Sequence, residues 1–116
     1  MREYSFPKSH RIKKRRDYIE LSKSGNRIQD RYFIVLYKKN QLLGSRLGIT
    51  VSKKVGGAVN RNRLKRIIRE AYRLNRKHLT EHIDINIIVK KLASNIQFEI
   101  VLPSLKTILD RACEKK

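Results

Sequence analysis

Between Ser52 and Arg66 the chain reads S-K-K-V-G-G-A-V-N-R-N-R-L-K-R, which sets Lys53, Lys54, Arg61, Arg63, Lys65 and Arg66 around a glycine pair. Glycines let a backbone turn tightly and leave its amides approachable, and the free N–H groups of a helix N-terminus attract phosphate. Arginine adds a planar fork of donors that grips phosphate and stacks on bases. Together these residue types suit a folded RNA backbone, read by shape more than by sequence. Arg69 and Arg73 continue the series, and from Arg61 to Lys77 only Glu70 interrupts it. An ordinary solvated helix face would mix both signs of charge, so that explanation is a poor one here. Asn62 lies within the cluster and adds an amide that can donate and accept.

Nothing else in the chain resembles catalytic equipment. A two-metal nuclease needs carboxylates gathered around its ions. The acids here are scattered: Glu3, Asp17, Glu20, Asp30, Glu70, Glu81, Asp84, Glu99, Asp110 and Glu114. Asp17 and Glu20 share a helix face and are expected to moderate Arg15 and Arg16. His78 and His82 have a metal-like spacing, but Leu79-Thr80-Glu81 between them reads as a helix end, and zinc's further ligands are not evident. No nucleophile stands with a base, so the polypeptide alone is expected to be inert and to bind no cofactor or metal itself.

Periodicity supplies the elements that must position the cations. From residue 60 to about 78, Leu64, Ile67, Ile68, Ala71, Tyr72 and Leu74 form one apolar helical stripe. Asn62, Lys65, Arg66, Arg69, Arg73, Arg76 and Lys77 fall on the other side at about 100° per residue. Upstream, residues 14–23 read as a first helix with Tyr18, Leu21 and Ile19 inward, closed at Ser24-Gly25-Asn26 by a left-handed residue. Arg27-Ile28-Gln29 follows as a short strand. Residues 31–39 are β-branched and aromatic, a second strand, and residues 40–44 are a turn. Leu47, Ile49 and Val51 alternate with Arg46, Gly48, Thr50 and Ser52 in a third, expected to pair with the second as a hairpin. Residues 84–90 form a buried strand. A last helix runs from Phe98 to the C-terminus, where Pro103 either bends it or marks its start.

The whole chain holds 116 residues, room for one domain and one modest core. With 29 Lys+Arg against 10 Asp+Glu, its formal charge is +19. Such self-repulsion is usually tolerated because a polyanion neutralises it. A basic amphipathic helix can also bind a membrane surface or a groove in a partner protein, but here the apolar stripe is needed for the domain's own core. No apolar run approaches the ~20 residues of a membrane span. The N-terminal residues lack a secretory signal's apolar core, so the expected location is the cytoplasm. Cys113 is the only cysteine and is assigned no role.

The stretch V-S-K-K-V-G-G-A-V-N-R-N-R-L-K-R-I-I-R-E, Val51 to Glu70, closely resembles the signature of the bacterial ribonuclease P protein family, including its R-N-R core at Arg61-Asn62-Arg63. The opening F-P-K-S-H-R-I-K-K-R-R-D-Y, Phe6 to Tyr18, also looks like that family's N-terminus. Order and length of the elements agree over essentially the whole chain. The resemblance implies one α/β domain over residues 1–116, of the α+β two-layer kind, ordered α-β-β-β-α-β-α with a left-handed crossover around the basic helix.

For function, the resemblance implies a non-catalytic protein component of an endoribonuclease that matures the 5′ end of tRNA, monomeric when free. Its partners would be the ribonuclease P RNA, which carries catalysis with Mg2+, and the 5′ leader of precursor tRNA, with no membrane. The RNA contacts would be Lys53, Lys54, Arg61, Asn62, Arg63, Lys65, Arg66, Arg69 and Arg73. In the family a cleft between the first helix and the sheet receives the single-stranded leader, and here Tyr18, Phe33, Tyr37, Arg11 and Lys14 are the expected members. Aromatic rings there would stack on unpaired bases, so Tyr18→Ala or Tyr37→Ala is expected to remove leader-length dependence. Two departures from the family pattern bear on that cleft. Ser22 stands where many relatives carry a larger apolar or aromatic residue. The aromatic strand is one residue longer than expected, and a one-residue slip exchanges the faces of Tyr32, Phe33 and Tyr37.

Overall fold

Alternate residues of two strands are sealed from water on one side only, which fixes the layers of the molecule. The computed structural model describes residues 11–40, 44–75 and 82–114. Helix α1 spans Arg15–Ser24, followed by strands β1 (Asn26–Gln29), β2 (Phe33–Lys39) and β3 (Arg46–Thr50). Helix α2 (Ala58–Asn75), strand β4 (Ile83–Val89), a 3₁₀ turn (Lys91–Ala93) and helix α3 (Phe98–Glu114) complete the chain. The described residues form one small α+β domain with a four-stranded mixed sheet and three helices.

Strand order is β1-β2-β4-β3. The β1–β2 and β2–β4 pairs are antiparallel, whereas β3 and β4 run parallel. The hairpin expected between β2 and β3 therefore does not form, because β4 lies between them. Its sequence I-D-I-N-I-I-V is apolar enough on both faces to need a neighbour on each edge, the character of a central strand. The connection from β2 to β3 passes the start of β4 and is tied to it: Asn40 N–H donates to His82 O at 3.0 Å, and Ser45 Oγ accepts from Ile83 N–H at 3.0 Å. Helix α2 then provides the long crossover that parallel neighbours require.

Registers Phe33↔Val89, Val35↔Ile87 and Tyr37↔Ile85, with Leu47↔Ile85 and Ile49↔Ile87, put all of these side chains on one face of the sheet. They pack with Leu64, Ile68 and Tyr72 of α2 and with Val101, Leu105, Ile108 and Leu109 of α3 in one core. Asn75, buried among them, donates from Nδ2 to Leu102 O at 3.1 Å and joins the two helices. Pro103 lies inside α3 rather than at its start. The hydrogen bond it cannot make would have ended on the carbonyl of Glu99, an exposed residue that water can serve.

Helix α1 lies across the other face. Its inward residue is Leu21; Ile19, expected inward, is 40% exposed. An apolar stripe only one turn wide needs one buried residue flanked by Tyr18, and Ile19 falls outside it. Gly25 closes the helix without a left-handed backbone (φ −79°, ψ 164°), correcting the expected cap. It is glycine because of close approach: a Cβ there would sit 2.5 Å from Leu21 O and 3.2 Å from Tyr37 O. The chain leaves the helix extended and enters β1 directly.

Asp30 ties the β1–β2 turn to the rest. Oδ1 accepts from the N–H groups of Tyr32 and Phe33, both at 2.8 Å, and Oδ2 accepts from Ser104 Oγ of α3. Lys90 Nζ donates to its carbonyl at 2.6 Å. Asp30→Ala leaves two backbone donors unmet and frees α3 from the turn, so a loss of about 2–3 kcal/mol is expected in urea unfolding. A change within about 0.5 kcal/mol would show that the turn holds without it.

Candidate nucleic-acid interface

Strand β3 feeds α2 through residues 51–57. Val51 and Val55 are buried and anchor this loop, while Ser52, Lys53 and Lys54 point into solvent. A turn closes it, with Val55 N–H donating to Ser52 O at 3.1 Å. Neither glycine adopts a positive φ. Gly56 has a different reason to lack a side chain: a Cβ would lie 2.8 Å from Asn60 Nδ2. On α2 the residues turned to the core are Leu64, Ile68, Ala71, Tyr72 and Asn75. The cations are left to the flanks and the outer side, and three environments separate them.

Asn62 and Arg66 are fully outward, together with Lys53 and Lys54 of the loop. On one flank Lys65 and Arg69 meet Arg11, Ile12 and Tyr18 across the outer edge of β3, lining a surface cavity of about 200 Å³ with Leu47, Gly48 and Ile49. Ile12 N–H donates to Leu47 O at 2.9 Å, which lays the basic arm along that edge. Tyr18 Oη donates to Ile12 O at 3.1 Å. Partial burial raises the pKa of this phenol, against a hydrogen bond from the backbone of Ile49 that lowers it. Burial, and then the charge of Arg11, pull the Arg69 guanidinium below its ordinary range. Like charges held this close cost free energy that an anion would offset. Arg61 lies beside this flank, half-buried, its Nε sealed from water without a partner among the described residues.

Two further cations of α2 are used internally. Arg63 Nε donates to Asn60 Oδ1 at 3.0 Å, Nη1 to Ile96 O at 3.1 Å and Nη2 to Ser94 O at 3.2 Å. Arg73 forms a two-point pair with Glu70, at 3.1 and 2.6 Å, and lowers the pKa of that carboxyl. The expected contact set therefore divides. Lys53, Lys54, Asn62, Lys65, Arg66 and Arg69 present themselves outward or on the cavity, Arg61 is half-buried, and Arg63 and Arg73 bond to groups of the chain itself.

The expected cleft also divides. Arg11 and Tyr18 line the same cavity, and Lys14, exposed, precedes the first residue of α1. Phe33 and Tyr37 do not join them. They are 0% and 4% exposed on the α2–α3 side of the sheet, opposite α1, so the structure places them in the core. The residues that face α1's side are one position along: Ile34, Leu36 and Lys38 of β2, Asp84, Asn86 and Ile88 of β4, Arg46, Gly48 and Thr50 of β3. Ile34, Leu36 and Ile88 are partly exposed there. Gly48 lies under the Tyr18 ring, whose atoms would be 2.6–2.9 Å from a Cβ. Thr50 Oγ1 donates to Asn86 Oδ1 at 3.1 Å.

Asp17 and Glu20 likewise reach across to the sheet rather than moderate Arg15 and Arg16. Asp17 sits 3.5 Å from Arg46, and Glu20 sits 3.0 Å from Lys38. Lys38 and Arg46 share one row of that face, each paired with Asp84 of β4, which lies between their strands. His78 of the histidine pair lies outside the described residues.

A contrast between two arginines follows from these environments. Arg66→Ala should leave thermal stability within about 0.5 kcal/mol of the parent, as for an exposed side chain without partners among the described residues. Arg63→Ala should cost about 2–3 kcal/mol, since two backbone carbonyls and an amide lose a charged donor. Paired thermal melts check this, and equal melts would contradict the division of the motif.

Among the described residues no helix is long and apolar enough to cross a membrane. The family model described as Ribonuclease P matches residues 6–113. The ribonuclease P protein component of Desulforapulum autotrophicum is 51% identical over 96 residues, covering 83% of this chain and 82% of that protein. Among solved structures, the RNase P protein from Thermotoga maritima superposes with a TM-score of 0.81 at 39% identity, over 87% of this chain and 96% of that one. The Staphylococcus aureus RNase P protein gives 0.83 at 37% identity, over 90% and 96%. Since the matched residues span both the R-N-R helix and the sheet that carries it, the chain belongs to the bacterial ribonuclease P protein component family.

Proposed function

We propose that this chain binds the ribonuclease P RNA through the outward cations of α2 and the preceding loop, and holds the single-stranded 5′ leader of precursor tRNA beside α1. The observation that carries this reading is the cavity where Arg11, Tyr18, Lys65 and Arg69 converge. It joins the outer sheet face to the cationic helix, so one polyanion can pass from one to the other. On this reading the RNA performs hydrolysis of one phosphodiester, using magnesium, and the protein contributes leader binding and charge screening. Among the described residues no three His, Cys, Asp or Glu side chains gather to hold an ion, and no chemical step is assigned to a protein side chain. The work belongs in the cytoplasm, with the protein a monomer when free of RNA.

The leader's contacts, on this geometry, are Tyr18, Ile34, Leu36 and Ile88 with Arg11 at the edge, rather than Phe33 and Tyr37. Stacking on one aromatic ring is worth about 1–3 kcal/mol per base. Tyr18→Ala should therefore weaken a leader-bearing substrate about ten-fold while leaving a leaderless one unchanged. Gly48→Ala should act in the same direction, by displacing the ring without removing it. Steady-state binding of both substrates to the reconstituted particle checks this; equal responses of the two substrates would remove α1 from the leader path.

A further inference from the structure

We infer that Arg63, together with Asn60, is a positioning residue that locks three pieces of chain into one rigid cationic surface, and is not itself a phosphate ligand. This rests on the proposed RNA-binding role of α2 and deepens it. Asn60 Nδ2 donates to Ser94 O at 2.8 Å, and Asn60 Oδ1 accepts from Arg63 Nε at 3.0 Å. The Arg63 fork then spans the carbonyls of Ser94 and Ile96. Both carbonyls belong to the connection between the 3₁₀ turn and α3, more than thirty residues along the chain. On its other side the Asn60 amide fills the space where a Cβ of Gly56 would go. The clamp therefore holds the loop bearing Lys53 and Lys54, the first turn of α2, and the entry to α3.

The physical case is one of commitment and order. All three Arg63 nitrogens donate to oxygens of the chain itself, and releasing them to reach a phosphate would expose carbonyls that lose a charged donor. The loop it secures has only Val51 and Val55 as apolar anchors. Without the clamp, the loop cations must be ordered when RNA binds, and that ordering reduces affinity. An arginine is needed because its fork serves two acceptors from a fixed plane, which lysine cannot do. Affinity then falls although no phosphate contact is lost.

The test uses the full chain and a bacterial ribonuclease P RNA, with association measured across a salt series. Arg66→Ala calibrates the scale: losing one phosphate contact lowers the slope of log K against log salt by about one. Arg63→Lys keeps the charge, and Gly56→Ala changes none, but crowds Asn60. Both should weaken binding roughly ten-fold with the parent's slope retained. Amide hydrogen exchange without RNA should accelerate over residues 94–101 and 56–61 in the same two variants. The inference is overturned if Arg63→Lys binds like the parent while Arg63→Ala lowers the slope as Arg66→Ala does. It is equally overturned if exchange over residues 94–101 is unchanged. Should Arg63→Lys fail to fold, Gly56→Ala decides by the same two readouts. Failure of the parent to bind the RNA would reject the RNA-binding role, while the exchange experiment would still judge the clamp.

Discussion

Phe33→Ala is expected to lower stability by about 3–5 kcal/mol, the usual cost of emptying a fully buried aromatic site. Phe33 is 0% exposed and packs in the core with Val35, Ile87 and the apolar stripes of α2 and α3. Its neighbours are regular elements from three parts of the chain, so little collapse can refill the space. Against a typical total of about 5–15 kcal/mol, that loss brings a small domain near its unfolding threshold. Urea unfolding followed by circular dichroism measures it. Near the transition, cleavage of leader-bearing and leaderless substrates should fall in parallel, because the folded fraction falls. A stable Phe33→Ala protein with a defect confined to leader-bearing substrate would instead return this ring to the cleft. Tyr37→Ala, expected from the sequence to remove leader-length dependence, should likewise lower stability, because its ring is buried on the same face of the sheet.

Asp84→Ala is expected to cost about 2–4 kcal/mol, through charge rather than volume. Arg46 and Asp84 are register partners on β3 and β4, and the guanidinium meets the carboxylate at two points, Nε to Oδ1 at 2.9 Å and Nη2 to Oδ2 at 2.6 Å. Asn40 Nδ2 adds a third bond to Oδ1 at 2.8 Å. The side chains are only 21% and 15% exposed, so water replaces the lost partner poorly. The hydrogen bonds to Asp84 raise the pKa of the Arg46 guanidinium against the opposing effect of burial, as expected for a cation held by its counter-ion. Removing the acid strands Arg46 with Asp17 alone, 3.5 Å away. It also loosens the pairing of β3 with β4, and β3 is the strand that leads into the cationic loop. Replacing both partners, Arg46→Met with Asp84→Leu, should recover much of the loss, since a matched apolar pair avoids the stranded charge. If Asp84→Ala melts like the parent, the pair contributes nothing to holding β3.

How much was legible in the residues depends on which force placed them. The helical stripe from Leu64 to Tyr72 declared itself because burial and period coincide, and the cations opposite followed. The R-N-R signature carried the family. Strand existence was also legible, but strand neighbours were not. β2 and β3 look like a hairpin locally, and only the long-range demand of β4 for two partners separates them. The cleft face was lost to a single-residue register. Phe33 and Tyr37 attracted attention as aromatics, yet aromatics in a central strand serve the core as readily as a ligand. Asn86, polar in the middle of I-N-I-I, was the available marker of the outer face, since its partners Leu36 and Gly48 share that side. Arg73 could be read, since Glu70 stands three residues before it on the same helix. The fate of Arg63 was not readable, because only the fold brings the carbonyls of Ser94 and Ile96 to it.

Cleavage of a leader-bearing precursor tRNA by a bacterial ribonuclease P RNA, at low magnesium and with or without this chain, tests the central reading most directly. Efficient release of the leader only when RNA and protein are both present, weakened by Arg66→Ala and Arg69→Ala, is the predicted result. No stimulation by the folded protein, with an RNA that is active at high magnesium, would contradict it.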